Sequence, residues 1–218
     1  MIDKQIDISS IEEHLEKLEE NGKTTMIVCV EGYVVGLIAT KDALKSNAQE
    51  VINYLKQMGL EIGILTGDNS NTAKATAEKL GIDRVISEVL PSGKAAEIER
   101  LKNLGCCVAM VGDGINDAPA LAAADIGIAL GSGTDVAMEA SDITLMGSDI
   151  KAVVDSIKLS KATMSKIRQN LFWAFIYNVI AIPLAFAGVL HPVIAEIAMA
   201  LSSINVVGNS NRLKSIRL

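Results

Sequence analysis

An α/β domain on a parallel sheet, followed by a two-helix transmembrane hairpin, is the fold class predicted by three features of the sequence. Helical and strand-like apolar periods alternate from AQEVINYLKQMG at residue 48 to DITLM at residue 146, the pattern of a sheet covered on both faces. Two apolar segments follow, 171–190 and 193–209. Charge divides with them. The acidic excess of a chain with formal net charge −6 lies in its first 155 residues, whereas Lys158, Lys161, Lys166, Arg168, Arg212, Lys214 and Arg217 face a single acid, Glu196, after that. The division implies two environments and two regions, 1–150 and 151–218.

In chain order, SSIEEHLEKLEEN places Ile11, Leu15 and Leu18 at helical spacing, with Gly22 as the stop. The β-branched runs TTMIVCV and YVVGLIAT, joined by Glu31-Gly32, predict a hairpin. Next come a helix (AQEVINYLKQMG), a short buried strand (EIGILT), two helices (NTAKATAEKLG and SGKAAEIERLKNLG) and a strand (CCVAMVG). After the turn GDGIND stand the helix APALAAA and the strands IGIAL and DITLM. Ligands of such sheets gather at the carboxyl ends of the strands.

From Ser148 a helix is predicted to run through IKAVVDSIKLSKATMSKIRQN into an uncharged stretch ending at Leu190, long enough to cross a bilayer. Trp173, Tyr177 and the basic flank Lys161, Lys166 and Arg168 suit a membrane interface. The second segment is less apolar and contains Glu196. Lys and Arg flank the outer ends of both segments and are absent from GVLHPV, as expected of a hairpin in the cell membrane with both ends, and the polar domain, cytoplasmic.

Half of the residues are apolar but only 3% aromatic, so the apolar content is mostly Ala, Ile, Val, Leu and Met. Without a clustered basic tract the chain offers no nucleic-acid surface. Cys106 and Cys107 admit a metal reading, but in a strand their side chains would point to opposite faces, as packing cysteines do.

Three groups suit phosphoryl chemistry. Thr66, Gly67, Asp68 and Asn69 follow a strand and precede a helix, so a hydroxyl and backbone amides meet at the strand's end, where anions bind well. Gly112-Asp113-Gly114-Ile115-Asn116-Asp117 again follows a strand, and its two carboxylates suit a hard oxygen-liganded cation such as Mg²⁺. Lys94 stands in the first turn of a helix, where its charge opposes the helix dipole and points to another purpose.

TGDN, LPSGKA and MVGDGINDAPALAAADIGIALGSGTDVAMEASDITLM resemble the phosphorylation domain of P-type ATPases of the haloacid-dehalogenase-like superfamily. The two membrane segments after it point to the heavy-metal branch. The resemblance implies a haloacid-dehalogenase-like Rossmannoid parallel sheet, incomplete here, preceded by the returning end of a nucleotide-binding domain. It implies that Thr66 and its neighbours Gly67 and Asp68 meet the phosphoryl group, that Lys94 stabilises an acyl phosphate, and that Asp113 ligates Mg²⁺ with Asn116 and Asp117 completing the pocket. Ser92-Gly93 departs from the acidic pair usual in the family.

Tyr177-Asn178 and Met199-Ala200-Leu201-Ser202-Ser203 put polar groups inside the predicted spans, where they are functional candidates by default. A Met thioether suits Cu(I), although Ser, Asn and Met also pack membrane helices. The pattern is similar to the copper-transporting subgroup, which implies that Tyr177, Asn178, Met199, Ser202 and Ser203 line a Cu⁺ site that also accepts Ag⁺. Glu196, a turn before Met199, would assist ion release.

No DKTGT sequence, the context of the family's phosphorylated aspartate, occurs in the chain; neither Asp3-Lys4 nor Asp42 provides it. The resemblance therefore implies the C-terminal part of a Cu(I)-exporting ATPase, inactive without a half that supplies ATP and the aspartate, with that N-terminal half as partner if the gene is split. The competing reading is a non-catalytic, membrane-anchored binding or regulatory protein that keeps a Mg²⁺-phosphate pocket. A self-sufficient phosphatase lacks a placed nucleophile.

Overall fold

The computed structural model describes residues 8–9, 11–40, 43–113, 115–131, 135–147, 149–188 and 191–216. Asp3-Lys4, Asp42, Gly114, Ser148, Leu190 and Arg217 lie outside them. The chain divides into two compact units, 1–152 and 153–218.

The first unit opens with α1 (Glu12–Glu20), β1 (Thr24–Val30) and β2 (Tyr33–Thr40). The two strands pair antiparallel, with an irregularity at Val28/Cys29. Glu31 and Gly32 between them both have positive φ, 51° and 88°, the signature of the turn whose twist matches a hairpin.

α2 (Ala48–Gln57) buries Ala48, Val51 and Leu55, a spacing that lines one helical face. β3 (Gly63–Leu65) leads into α3 (Ser70–Leu80) and pairs in parallel with β4 (Arg84–Ile86), a strand absent from the sequence expectations. Asn69 caps α3 by accepting the Thr72 N–H, and Gly81, at φ 63°, ends it in the left-handed conformation that glycine adopts without strain. Ala48, Ala77, Leu80 and Ile82 form one buried cluster, with Ile52, Ile62, Ile64, Val85 and Ile150 against it.

α4 (Pro91–Asn103) begins with Pro91 in its first turn, where the missing N–H costs no helical bond. β5 (Ala109–Gly112), β6 (Ile126–Leu130) and β7 (Ile143–Leu145) form a parallel three-stranded sheet, with α5 (Ala118–Ala123) and α6 (Asp135–Glu139) in the connections. Ile98, Met110, Ala120, Leu121 and Ala137 make the second core, which Leu65 of β3 also touches.

The expected parallel sheet is thus present, among the described residues, as separate two- and three-stranded pieces. Cys106 and Cys107 are not in a strand: β5 starts at Ala109, and both cysteines are exposed in the loop before it. The strand begins three residues later than its apolar run, with Val108 also outside it. Loop residues with apolar side chains extend a strand pattern without joining its ladder.

The second unit is a helical pair. α7 (Lys151–Phe186), whose first two residues belong to the first unit, runs without a break for 36 residues. α8 (Pro192–Asn211) follows, and a short 3₁₀ turn (Arg212–Ser215) succeeds it. Both helices are long and apolar enough to cross a membrane, and their apolar stretches are not buried within the fold. That distinguishes them from the core helices of a soluble domain.

Candidate functional site: a loop cluster at strand ends and a polar hairpin

The first candidate group is a tight loop at the carboxyl end of β3. Thr66 N–H donates to Ile86 O of β4, extending the parallel ladder by one bond. The Thr66 hydroxyl donates to Asp68 Oδ2 at 2.9 Å and accepts the Asp68 N–H at 3.1 Å. Glu88 N–H donates to Asp68 O and Val89 N–H to Thr66 O, at 2.9 and 3.1 Å, so the segment entering α4 clamps the loop from the other side. Glu88 is left-handed at φ 59°. A non-glycine residue there is strained and persists because its neighbours fix it. Neither Glu88 nor Val89 was singled out from sequence, where a Glu ahead of Val-Leu-Pro carries no mark of its backbone angle.

The second group gathers at the carboxyl end of β5. Lys94 Nζ lies 2.6 Å from Asp117 Oδ1, with side-chain exposures of 14% and 16%. This answers the oddity of a lysine in a first helical turn: its charge is directed at a carboxylate on a neighbouring element. Gly112 makes the arrangement possible. A Cβ there would stand 2.8 Å from Asp117 Cβ and 2.9 Å from its Oδ2. Asp113 follows the strand and is exposed, as is Asn116 in the 3₁₀ turn Ile115–Asp117.

Asp113 and Asp117 supply hard oxygen donors at one strand end, with Asp117 packed over the bare Gly112 backbone. That donor set fits Mg²⁺, which takes one or two carboxylates and completes its shell with phosphate oxygens and water. Among the described residues no group of three or more His, Cys, Asp and Glu side chains is assembled to hold a metal by themselves. Asn69, which the sequence placed in the same constellation, is spent on capping α3.

In the helical pair the predicted metal residues are only partly gathered. Asn178 Nδ2 donates to Ala174 O and the Ser203 hydroxyl to Met199 O, each within its own helix. The Met199 side chain is exposed. Tyr177 is the candidate that reaches across the hairpin, and its partner is a residue the sequence reading passed over: Asn205 Nδ2 donates to Tyr177 Oη at 2.9 Å. A polar residue within an apolar span was the signal available for it.

Comparison with known proteins places these features in context. Residues 2–125 match the haloacid dehalogenase-like hydrolase family. Over its whole length the chain is 52% identical to the copper-exporting P-type ATPases of Staphylococcus aureus strains JH9 and Newman, of which it spans 27%. A crystal structure of a zinc-transporting PIB-type ATPase in the E2.Pi state superposes with a TM-score of 0.81 at 37% identity, over 95% of this chain and 34% of that one. A catalytic domain of the CPx-ATPase CopB-B superposes with a TM-score of 0.51 at 35% identity, over 61% of this chain and 52% of that one. The chain spans about a quarter of the length of the curated relatives it matches. Two exposed apolar helices long enough to span a bilayer, together with relatives that are P-type ATPases, make it a membrane protein.

Proposed function

The chain belongs to the haloacid dehalogenase-like hydrolase family, and from that premise we propose that it serves as the C-terminal part of an ATP-driven, Cu(I)-exporting P-type ATPase. The observation that carries the proposal is Lys94 meeting Asp117 across Gly112 at the carboxyl end of β5. It sets a cation and a carboxylate where a parallel sheet presents its ligands.

In this reading Asp113 and Asp117 hold Mg²⁺, which when bound neutralises charge on the phosphoryl oxygens. Lys94 keeps its ammonium on Asp117, held in place before any phosphate arrives, so little reorganisation accompanies phosphoryl transfer. The Thr66 hydroxyl directs its proton at Asp68 in the present structure. Contact with a phosphoryl oxygen requires that proton to turn outward, while the Thr66 and Asp68 carbonyls on either side of Gly67 stay fixed by the Val89 and Glu88 bonds. Asn116, in the 3₁₀ turn with Asp117, completes the pocket. ATP and the phosphorylated aspartate come from an N-terminal part with a DKTGT sequence, and the chain by itself forms no acyl phosphate.

The transported ion is Cu⁺, with Ag⁺ accepted, and Tyr177, Asn178, Met199, Ser202 and Ser203 contribute to its passage. The copper-exporting relatives support this choice; the solved zinc-transporting neighbour leaves the metal to experiment. The same relatives weigh against a non-catalytic binding protein.

Co-expression with an N-terminal part carrying DKTGT and a Cys-Pro-Cys site should restore copper resistance to a sensitive host. Asp113→Asn should abolish the rescue through phosphoryl transfer, and Met199→Ala through transport. Rescue that survives both substitutions would refute both assignments.

A further inference from the structure

The helical hairpin contains a polar seam that the assignments above leave unused. Lys166, Asn170 and Tyr177 lie along one face of α7, and Asn205 and Asn209, four residues apart, along one face of α8. Lys166 Nζ donates to Asn209 Oδ1 at 3.0 Å, Asn209 Nδ2 to Asn170 Oδ1 at 2.8 Å, and Asn170 Nδ2 to Ser210 Oγ at 2.8 Å. Two turns further along α7 stands the bond from Asn205 Nδ2 to Tyr177 Oη.

The three bonds at the basic end fix the antiparallel register, and that register brings Asn205 to Tyr177. On its own helix the phenol has the Trp173 ring as neighbour, with ring centroids 6.5 Å apart at 37°, and Trp173 is itself edge-on to Phe172 at 5.6 Å. The phenol therefore has an aromatic neighbour on its own helix and an amide partner on the other. In this register Asn178 falls level with Ser202, and Met199 about one turn beyond. An amide in hydrocarbon is unfavourable unless paired, and this one is paired with a residue of the cation path.

We infer that Asn205 is a positioning residue of the membrane cation site: its amide holds the Tyr177 hydroxyl at one place on α8. The inference rests on the transport reading above. Donation from Asn205 occupies one lone pair of the phenol oxygen and leaves the phenol proton and the other lone pair for the path. Without that donor the ring would rotate about its own side-chain bonds, and the oxygen would no longer have a fixed position.

The test uses the full chain paired with an N-terminal part carrying DKTGT and Cys-Pro-Cys, with ATP hydrolysis followed against Cu(I) concentration. Loss of one hydrogen bond should make Asn205→Leu raise the KM for Cu(I) by about 3- to 10-fold, with kcat little changed. Asn205→Gln, which keeps the amide donor, should restore most of it. Tyr177→Phe combined with Asn205→Leu should do no more than the larger single change, because both remove the same bond. Should the leucine variant not accumulate in the membrane, Asn205→Ala carries the same expectation.

Emission of Trp173, the one tryptophan in the chain, gives a reading without turnover: Asn205→Leu and Tyr177→Phe should shift it alike in nanodiscs, and Asn205→Gln should not. Additive effects on KM, an unchanged KM, or a glutamine variant as impaired as the leucine variant would overturn the inference alone. Absence of any Cu(I) response in the unsubstituted pair would overturn the transport reading, and the inference with it.

Discussion

Lys94 Nζ and Asp117 Oδ1 form a 2.6 Å ion pair that is shielded on both sides and ties the first turn of α4 to the start of α5. Removing one partner strands the other charge in a poorly solvated place. Lys94→Ala should therefore lower the unfolding free energy of the polar unit by about 1–3 kcal/mol. Lys94→Met with Asp117→Leu should cost less than the two single losses together, because neither charge is left alone. Denaturant titration followed by circular dichroism measures both; strictly additive losses would show that the pair is not coupled.

Gly112 permits that geometry, so it offers a second and independent probe. Gly112→Ala places a methyl 2.8 Å from Asp117 Cβ, and relief requires Asp117 to move away from Lys94. The expected cost is about 1–3 kcal/mol. Gly36→Ala, where an added Cβ meets nothing within 4 Å, is the control and should change stability by about 0.5 kcal/mol or less. Equal behaviour of the two variants in the same titration would contradict the steric account.

Asp125 gives the polar unit an acid-sensitive joint. Its carboxylate accepts the Val108 N–H at 2.8 Å and stands 3.4 Å from Lys102 Nζ. The backbone bond first, and the lysine after it, hold its pKa below the ordinary value of 3.8. A depressed folded-state value contributes stability above the unfolded pKa and loses it as pH falls through the folded one. The stability difference between the unsubstituted chain and Asp125→Asn should thus be constant near neutral pH and narrow below about 3.8. Thermal melts from pH 7 down to pH 2 report this, and a gap that widens in acid would contradict it.

The hairpin predicts topology. Both ends of the α7–α8 pair carry Lys and Arg, whereas the connection around His191 and Pro192 carries none. In sealed vesicles, protease added from the cytoplasmic face should reach both the polar unit and residues 212–218. Protection of one end alone, or recovery of the chain without membrane, would rule out the two-span arrangement.

Much of this was legible in the sequence because it rests on local rules. Strand-end placement of Thr66 and Asp113 follows from apolar runs ending in TGDN and GDGIND, the β1–β2 hairpin from Glu31-Gly32, the first span from uninterrupted apolar length, and the second from the Lys and Arg that flank the outer ends of both segments. Such features depend on neighbours a few residues away, and a one-dimensional reading sees those neighbours directly.

What only the tertiary structure decided are the pairings between distant positions. Lys94 is 23 residues from Asp117 and Tyr177 is 28 residues from Asn205; each meets its partner because a core or a helix register brings two elements together. The same cause explains the misplacements. Cys106 and Cys107 carry strand-like side chains but lie outside the parallel ladder, which begins at Ala109 opposite Ile126. Side-chain chemistry is written in the sequence, but a hydrogen bond depends on distance and direction, and those exist only once the chain has folded.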